Sequence, residues 1–360
     1  MSEISWVAVT DFRNLEAAKL HPARAGLTVV AGENGAGKTS LLEAIAYAST
    51  LRSFRSSPRD ALVRSGAARA FVRLEAPPPP RRALIEVEIV PGRHDQAFLN
   101  RQRVVRGADL AAAFQVTVFA PDDLALVKGP PERRRDFLDD LLEASDGRLG
   151  YLRRRVERAL RQRANLLKQA GGRASTAVLA SLDVWDAQLA QLGEALTAER
   201  ERVAKTLEPA VGAALDRLAG ADLGVLELSY ERSYEGCLAD ALVRARAEDL
   251  RRGVSTLGPH RDELVVRVGG LDARTRLSQG RQRALTLALR LAAHDLVTAA
   301  RGSAPVLLLD DAFSELDDRT ARALVTALPP GQAILTTAGP LPTGADPSLV
   351  VRLVDGRIRT

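Results

Sequence analysis

Hydrophobic and polar positions divide the chain into three stretches. In the first, residues 1–125, short apolar and β-branched runs at 4–9, 27–31 and 116–119 predict strands, and 83–90 alternates with Glu86 and Glu88 on one face. The prolines Pro77, Pro78, Pro79 and Pro80 break the pattern and predict a loop. From about 132 to 218 the period becomes helical, with Leu182, Trp185, Leu189, Leu192 and Leu196 three and four apart, so that Trp185 reads as core. Gly171-Gly172 and Pro209 are expected to interrupt this stretch, leaving arms of a few turns that are too short for a long coiled coil. From about 225 onward short strands and helices alternate again, and 349–354 and 357–359 read as closing strands. The pattern predicts an α/β domain made of 1–125 and 225–360, with a helical lobe, 126–224, inserted between its parts. No internal repeat is visible.

Composition narrows the class. At 360 residues and 46% hydrophobic, the chain can bury a full core, in one large domain or two ordinary ones. No apolar run approaches the ~20 residues that span a bilayer, so no membrane contact is expected. The single cysteine, Cys237, cannot form an internal disulfide and has no His or Cys neighbour for metal or nucleophilic chemistry. The start Met1-Ser2-Glu3-Ile4-Ser5-Trp6 lacks a signal-peptide pattern, and a cytoplasmic location is expected. Net charge is +6, carried almost wholly by arginine, because the only lysines are Lys19, Lys38, Lys128, Lys168 and Lys205. That balance points to a polyanion such as nucleic acid, or else reflects a GC-rich coding sequence that replaces Lys by Arg. With aromatics at 4%, contact with a duplex backbone is favoured over base stacking.

Gly32-Glu33-Asn34-Gly35-Ala36-Gly37-Lys38-Thr39 fits the G-x-x-x-x-G-K-[ST] pattern at every position, between a predicted strand and the helical run 40–49. Its glycines let backbone N–H groups crowd around phosphates, Lys38 reaches the β- and γ-oxygens, and Thr39 supplies a magnesium ligand. A second half of such a site is Val306-Leu307-Leu308-Leu309-Asp310-Asp311, where four apolar strand residues end in a carboxylate. Asp310 would join the magnesium shell, and Asp311 would orient or deprotonate the attacking water. Leu277-Ser278-Gln279-Gly280-Arg281-Gln282 precedes the apolar helical run 284–300, which puts Ser278 and Gly280 at a helix N-terminus able to donate to phosphate. Read alone, that segment is merely an N-cap. Followed by Asp310 and by Ser314-Glu315-Leu316-Asp317, it resembles the signature, Walker B and D-loop succession of ABC-type ATPases.

Further motifs extend the likeness: Leu51-Arg52-Ser53-Phe54-Arg55, Phe119-Ala120-Pro121-Asp122-Asp123-Leu124, Val127-Lys128-Gly129, Arg133-Arg134-Arg135-Asp136-Phe137-Leu138-Asp139 and Gly258-Pro259-His260-Arg261-Asp262-Glu263-Leu264. In this order they closely resemble the RecF family of bacterial recombination mediators, from the first strand to the last quarter of the chain. The P-loop is common, whereas Gly-Pro-His-Arg-Asp and Val-Lys-Gly are distinctive. The resemblance implies a P-loop NTPase of ABC-ATPase head type with an inserted α-helical second lobe, akin to Rad50 and SMC heads without their long coiled coils. It implies ATP and Mg2+ as cofactors, gripped by residues Gly32 to Thr39 of one subunit and Ser278, Gln279 and Gly280 of another. Thr39 and Asp310 would bind the metal, and Lys38, Asp310 and Asp311 would be catalytic. Implied partners are a second copy formed on ATP binding, duplex, junction or gapped DNA, RecR, and functionally RecO, RecA and SSB. The implied role is repair of single-strand gaps through RecA loading, linked to DNA replication and the SOS response.

Three departures from the wider ABC pattern weigh against the main alternative, a transporter ATPase. Asp311 stands where glutamate is usual, one methylene shorter, so slow hydrolysis is expected. Thr337 replaces the switch histidine, and Pro121-Asp122-Asp123 replaces the Q-loop glutamine. A third reading is a scaffold that binds ATP without turning it over. His260-Arg261-Asp262 looks like a kinase catalytic loop, but Arg267 stands where asparagine is required and no Asp-Phe-Gly follows. His260 is then either a structural hydrogen-bonding group or a direct participant. Two basic series, Arg52, Arg55, Arg59, Arg64, Arg69 and Arg73, then Arg153, Arg154, Arg155, Arg158, Arg161 and Arg163, are read either as phosphate contacts or as solvated faces.

Overall fold

The computed structural model describes residues 3–55, 57–76, 83–104, 107–172, 175–219, 224–314 and 316–359. The loop expected at Pro77 to Pro80 and the Glu315 of the D-loop succession lie outside them. Strands in the first part are β1 (Trp6–Phe12), β2 (Leu15–Leu20), β3 (Gly26–Ala31), β4 (Ala70–Ala76), β5 (Ala83–Ile89), β6 (Gln96–Leu99), β7 (Gln102–Val104) and β8 (Val116–Phe119). They are followed by β9 (Leu226–Glu231), β10 (Glu263–Val268), β11 (Leu271–Asp272), β12 (Val306–Asp310), β13 (Gln332–Thr337), β14 (Pro347–Val354) and β15 (Arg357–Arg359). Helices are α1 (Lys38–Thr50), α2 (Gly107–Ala113), α3 (Ala125–Lys128), α4 (Pro131–Ser145), α5 (Gly147–Ala170) and α6 (Thr176–Ala219). The rest are α7 (Leu238–Arg252), α8 (Ala273–Arg276), α9 (Gln279–Arg301) and α10 (Asp318–Ala327).

The chain forms two compact units, one of Met1–Leu124, Ala213–Asp222 and Gln279–Thr360, the other of Ala125–Gly212 and Leu223–Ser278. The first holds two sheets, an antiparallel one in the order β2-β1-β4-β5-β6-β7 and a mainly parallel one in the order β15-β14-β3-β13-β12-β8. Periodicity explains the difference. Strands β4 and β5 alternate inward and outward, while β12 and β13 are buried at every position, as strands covered on both faces must be. Helix α1 shares one core with both sheets: Leu41, Leu42, Ala44 and Ile45 pack with Val72 and Ile85 of one and Leu308 and Ile334 of the other.

The second unit combines α3 to α5, most of α6, α7 and α8 with the three-stranded sheet β11-β10-β9. This corrects the sequence reading, which placed 225–278 with the ATPase domain. The strand pattern does return at 225, but β9 and β10 pair only with each other and with β11 among the described strands. An apolar cluster of Val156, Ala159, Leu189, Leu192, Leu238 and Leu242 binds α5, α6 and α7, and Trp185 packs partly buried against it. Two guanidiniums are sealed within. Arg163 donates to Asp186 and Asp249 at 2.6 Å each, and Arg200 makes a bidentate pair with Asp139 at 2.7 Å while reaching the Pro259 carbonyl at 2.6 Å. Removing one partner would leave a buried charge uncompensated, at a cost of about 3–5 kcal/mol.

The expected break at Pro209 does not occur. Helix α6 runs 44 residues straight through it. Proline removes the bond to the carbonyl four residues back, but both Pro209 and Lys205 are exposed, so water can satisfy the freed group. Leu207 and Val211, fully buried on either side, offset the remaining penalty. Gly171, at φ 53, does end α5 as expected.

Candidate nucleotide site

Strand β3 delivers the P-loop and α1 receives it. Gly37 caps α1 at φ 106, a left-handed conformation that side chains resist, and a Cβ there would lie 2.5 Å from Leu15 Cδ2. Glycine at 32 is required for another reason, since a Cβ would meet the Leu353 carbonyl at 2.4 Å. Helix α1 has no side-chain cap, so its first N–H groups are available to an anion. Glu33, Asn34 and Gly35 are exposed, and Ala36 is partly so. Lys38 is folded over the loop, its Nζ donating to the carbonyls of Gly32 at 2.7 Å and Glu33 at 2.9 Å.

The two halves predicted from sequence meet directly. Thr39 Oγ1 donates to Asp310 Oδ1 at 2.9 Å across a separation of 271 residues. Burial pushes the Asp310 carboxyl above its ordinary pKa, against which hydrogen bonds from Thr336 and Thr39 act. Asp311 sits where the chain leaves β12, in the left-handed region at φ 48, and its N–H donates to Thr336 Oγ1 at 3.0 Å. A cavity of about 180 Å³ opens beside both aspartates, lined also by Phe119, Leu124, Thr286 and Leu287. A hydroxyl and one carboxylate are hard oxygen donors suited to magnesium, with phosphate and water completing the shell. Among the described residues no larger cluster of metal-ligating side chains occurs.

Asn14 was not foreseen. It lies in the turn between β1 and β2, where its Nδ2 donates to the Gly35 carbonyl at 2.6 Å and its Oδ1 accepts from Ser40 Oγ at 2.7 Å. Beside it, Arg13 makes a bidentate pair with the buried Glu43 of α1. Only a polar pair between the core residues Phe12 and Leu15 hints at this in the sequence.

The remaining candidates are distributed over both units. Ser278, Gln279 and Gly280 are exposed, Ser278 directly preceding the 23-residue α9. Asp123, at the Q-loop position, accepts from the Ala120 N–H at 2.9 Å and from Arg290 of α9. Thr337 closes a local turn with Gly339. In the second unit, His260 is half-buried with Nε2 against the Ser255 carbonyl at 3.1 Å, and loss of hydration around the ring drives its pKa down to about 4, which fits the structural role. Asp262 binds Tyr230, Thr197 and the Ser233 N–H, while Arg134 pairs with Glu263, so the Gly-Pro-His-Arg-Asp and triple-arginine motifs knit that unit together.

Most of the arginines singled out from sequence are neutralised. On the antiparallel sheet Arg73 pairs with Glu86 and Arg69 with Glu88, while Arg64 meets Asp11, Arg59 meets Asp95 and Arg55 lies 3.9 Å from Glu43. On α5, Arg153 faces Asp136, Asp139, Asp140 and Glu157, and Arg154 pairs with Glu143. Exposed Arg155 lies over the Tyr151 ring at 5.6 Å, and Arg158 is exposed nearby.

The family model for the RecF/RecN/SMC N terminal domain matches residues 3–333. DNA replication and repair protein RecF of Streptomyces avermitilis is 40% identical over 352 residues, covering 93% of either chain. This chain belongs to the RecF family. RecF of Beutenbergia cavernae is likewise 40% identical, over 371 residues and 93% of each chain. A solved structure of the recombination mediator protein RecF with ATP, in the RecFOR pathway, has a TM-score of 0.90 at 26% identity, covering 99% of this chain and 97% of that one. The Smc head domain of Pyrococcus furiosus, at TM-score 0.59 and 16% identity, shares the fold alone. An ABC-ATPase head of RecF type is therefore the architecture, and the transporter alternative is set aside. No described helix is long and apolar enough to cross a membrane.

Proposed function

We propose that this RecF-family chain binds ATP with magnesium, pairs with a second copy around the nucleotide, and in that state binds DNA during repair of single-strand gaps. The observation that carries the reading is the Thr39 to Asp310 hydrogen bond, which joins the P-loop helix to the end of a buried strand where phosphate and metal chemistry need both. Thr39 and Asp310 would hold the magnesium ion, which when bound offsets charge on the β- and γ-phosphates. Loop N–H groups from Gly35 to Thr39 bind phosphate, with Glu33 and Asn34 on the exposed rim. Lys38 redirects its Nζ hydrogen bonds from the carbonyls of Gly32 and Glu33 to phosphate oxygens, keeping its charge. Asp311 takes the proton of the attacking water, and its shorter reach makes turnover slow.

Exposed Ser278, Gln279 and Gly280, with the positive end of α9 behind them, are suited to grip a nucleotide presented by a second copy. Hydrolysis removes the γ-phosphate held by both, so dimer and DNA affinity fall together. Partners in this reading are gapped or junction duplex DNA, RecR, RecO, RecA and SSB, in a cytoplasmic role linked to replication and the SOS response. Light scattering with and without ATP tests it. The unsubstituted chain should dimerise only with ATP, and Ser278→Arg should bind ATP yet stay monomeric. A persistent monomer with magnesium and ATP bound would overturn the switch.

A further inference from the structure

Thr337 occupies the position where a switch residue is expected, yet its hydroxyl is spent on Gly339. The residue before it reaches the chemistry. We propose that Thr336 is a positioning residue that sets the geometry of both Asp310 and Asp311, an inference that rests on the ATPase reading above.

Thr336 is fully buried near the end of β13 and stands directly opposite Asp310 in the parallel ladder with β12. A hydroxyl carries one donor and two acceptor sites, and here it uses both kinds. It donates to Asp310 Oδ1 at 2.8 Å and accepts the Asp311 N–H at 3.0 Å. Because Thr39 donates to the same Oδ1, the two hydroxyls fix the plane of the carboxylate and leave Oδ2 outside this pair of bonds. The bond to the Asp311 N–H acts on the backbone. Asp311 holds φ 48, a conformation costly to a non-glycine residue, and such residues persist only where surrounding contacts over-determine them. Thr336 pins its N–H, and Ser314 pins its carbonyl through both N–H (3.2 Å) and Oγ (3.0 Å). The direction of the Asp311 side chain follows from that backbone. Threonine suits the post better than serine because its branched Cβ restricts χ1, so the hydroxyl stays aimed.

Thr336→Val preserves shape and removes both bonds, while Thr336→Ser preserves the bonds. ATP sites on each purified full-length chain are counted by filter binding of radiolabelled ATP, so that turnover is expressed per site. Thr336→Val should lose about 10- to 100-fold in kcat per site, as a misplaced catalytic group does, with KM within about threefold. Its ATP-bound dimers should also live correspondingly longer. Thr336→Ser should keep kcat within about threefold. Unchanged kcat per site in Thr336→Val would overturn the proposal, as would Val and Ser variants losing activity in step with their melting temperatures. A wild-type chain without ATP sites would instead remove the ATPase reading itself.

Discussion

Acidification from pH 7 to pH 5 is expected to weaken both units through one histidine in each, His294 buried and His260 half-buried. Burial lowers the pKa of His260 and of His294 from 6.5 to about 4, and both are therefore neutral in the folded chain at pH 7. Unfolding releases them to water, where they bind protons more readily. Between the two pKa values the unfolded chain holds more protons, so stability is present above about pH 6.5 and is lost as pH falls towards 4. Linkage gives at most about 2 kcal/mol per histidine between pH 7 and pH 5, and about 1 kcal/mol after partial hydration of the site. The two units can be followed separately, because the chain has two tryptophans, Trp6 in the first unit and Trp185 in the second. In a Trp185→Phe background, urea unfolding watched through Trp6 should show the loss owed to His294, and His294→Gln should abolish most of it. Glutamine keeps a partner for Thr117 Oγ1, which contacts His294 Nδ1 at 3.1 Å, without titrating. An equal loss at pH 5 with and without the histidine would refute the reasoning.

Other expectations concern the site and the surface. Asp311→Asn should trap ATP-bound dimers by slowing turnover, measured by phosphate release; unchanged turnover removes Asp311 from the catalytic role. Asn14→Ala should weaken ATP binding about five- to tenfold in equilibrium titration, since two hydrogen bonds that shape the loop are lost, and adding Ser40→Ala should cost little more. For gapped DNA, replacing exposed Arg155 and Arg158 by glutamine should reduce the salt dependence of binding by a slope of about 0.9 per lost phosphate contact. The same change at paired Arg69 and Arg73 should leave the slope alone.

What could be read in advance depended on how local the cause was. The P-loop is set by glycines and a lysine within eight positions, and β12 by an uninterrupted apolar run ending in aspartate, so both were legible. Asn14 and Thr336 act across tertiary contacts, the first between a hairpin turn and a loop, the second between neighbouring strands, and no spacing rule announces either. A return of alternating strands and helices from about 225 was legible, but periodicity does not say which sheet a strand joins, and β9 and β10 joined each other. Pro209 misled because propensity describes the isolated helix, whereas Leu207 and Val211 are held by packing.

The Arg69–Glu88 and Arg73–Glu86 pairs on the antiparallel sheet have a further consequence. Glu86 and Glu88 offset the charge of the guanidiniums they face, and so should limit the attraction of that surface for polyanions. Replacing Glu86 and Glu88 with glutamine would unmask them, so a loss of acid at positions remote from the nucleotide would appear as indiscriminate, salt-sensitive clinging to any nucleic acid.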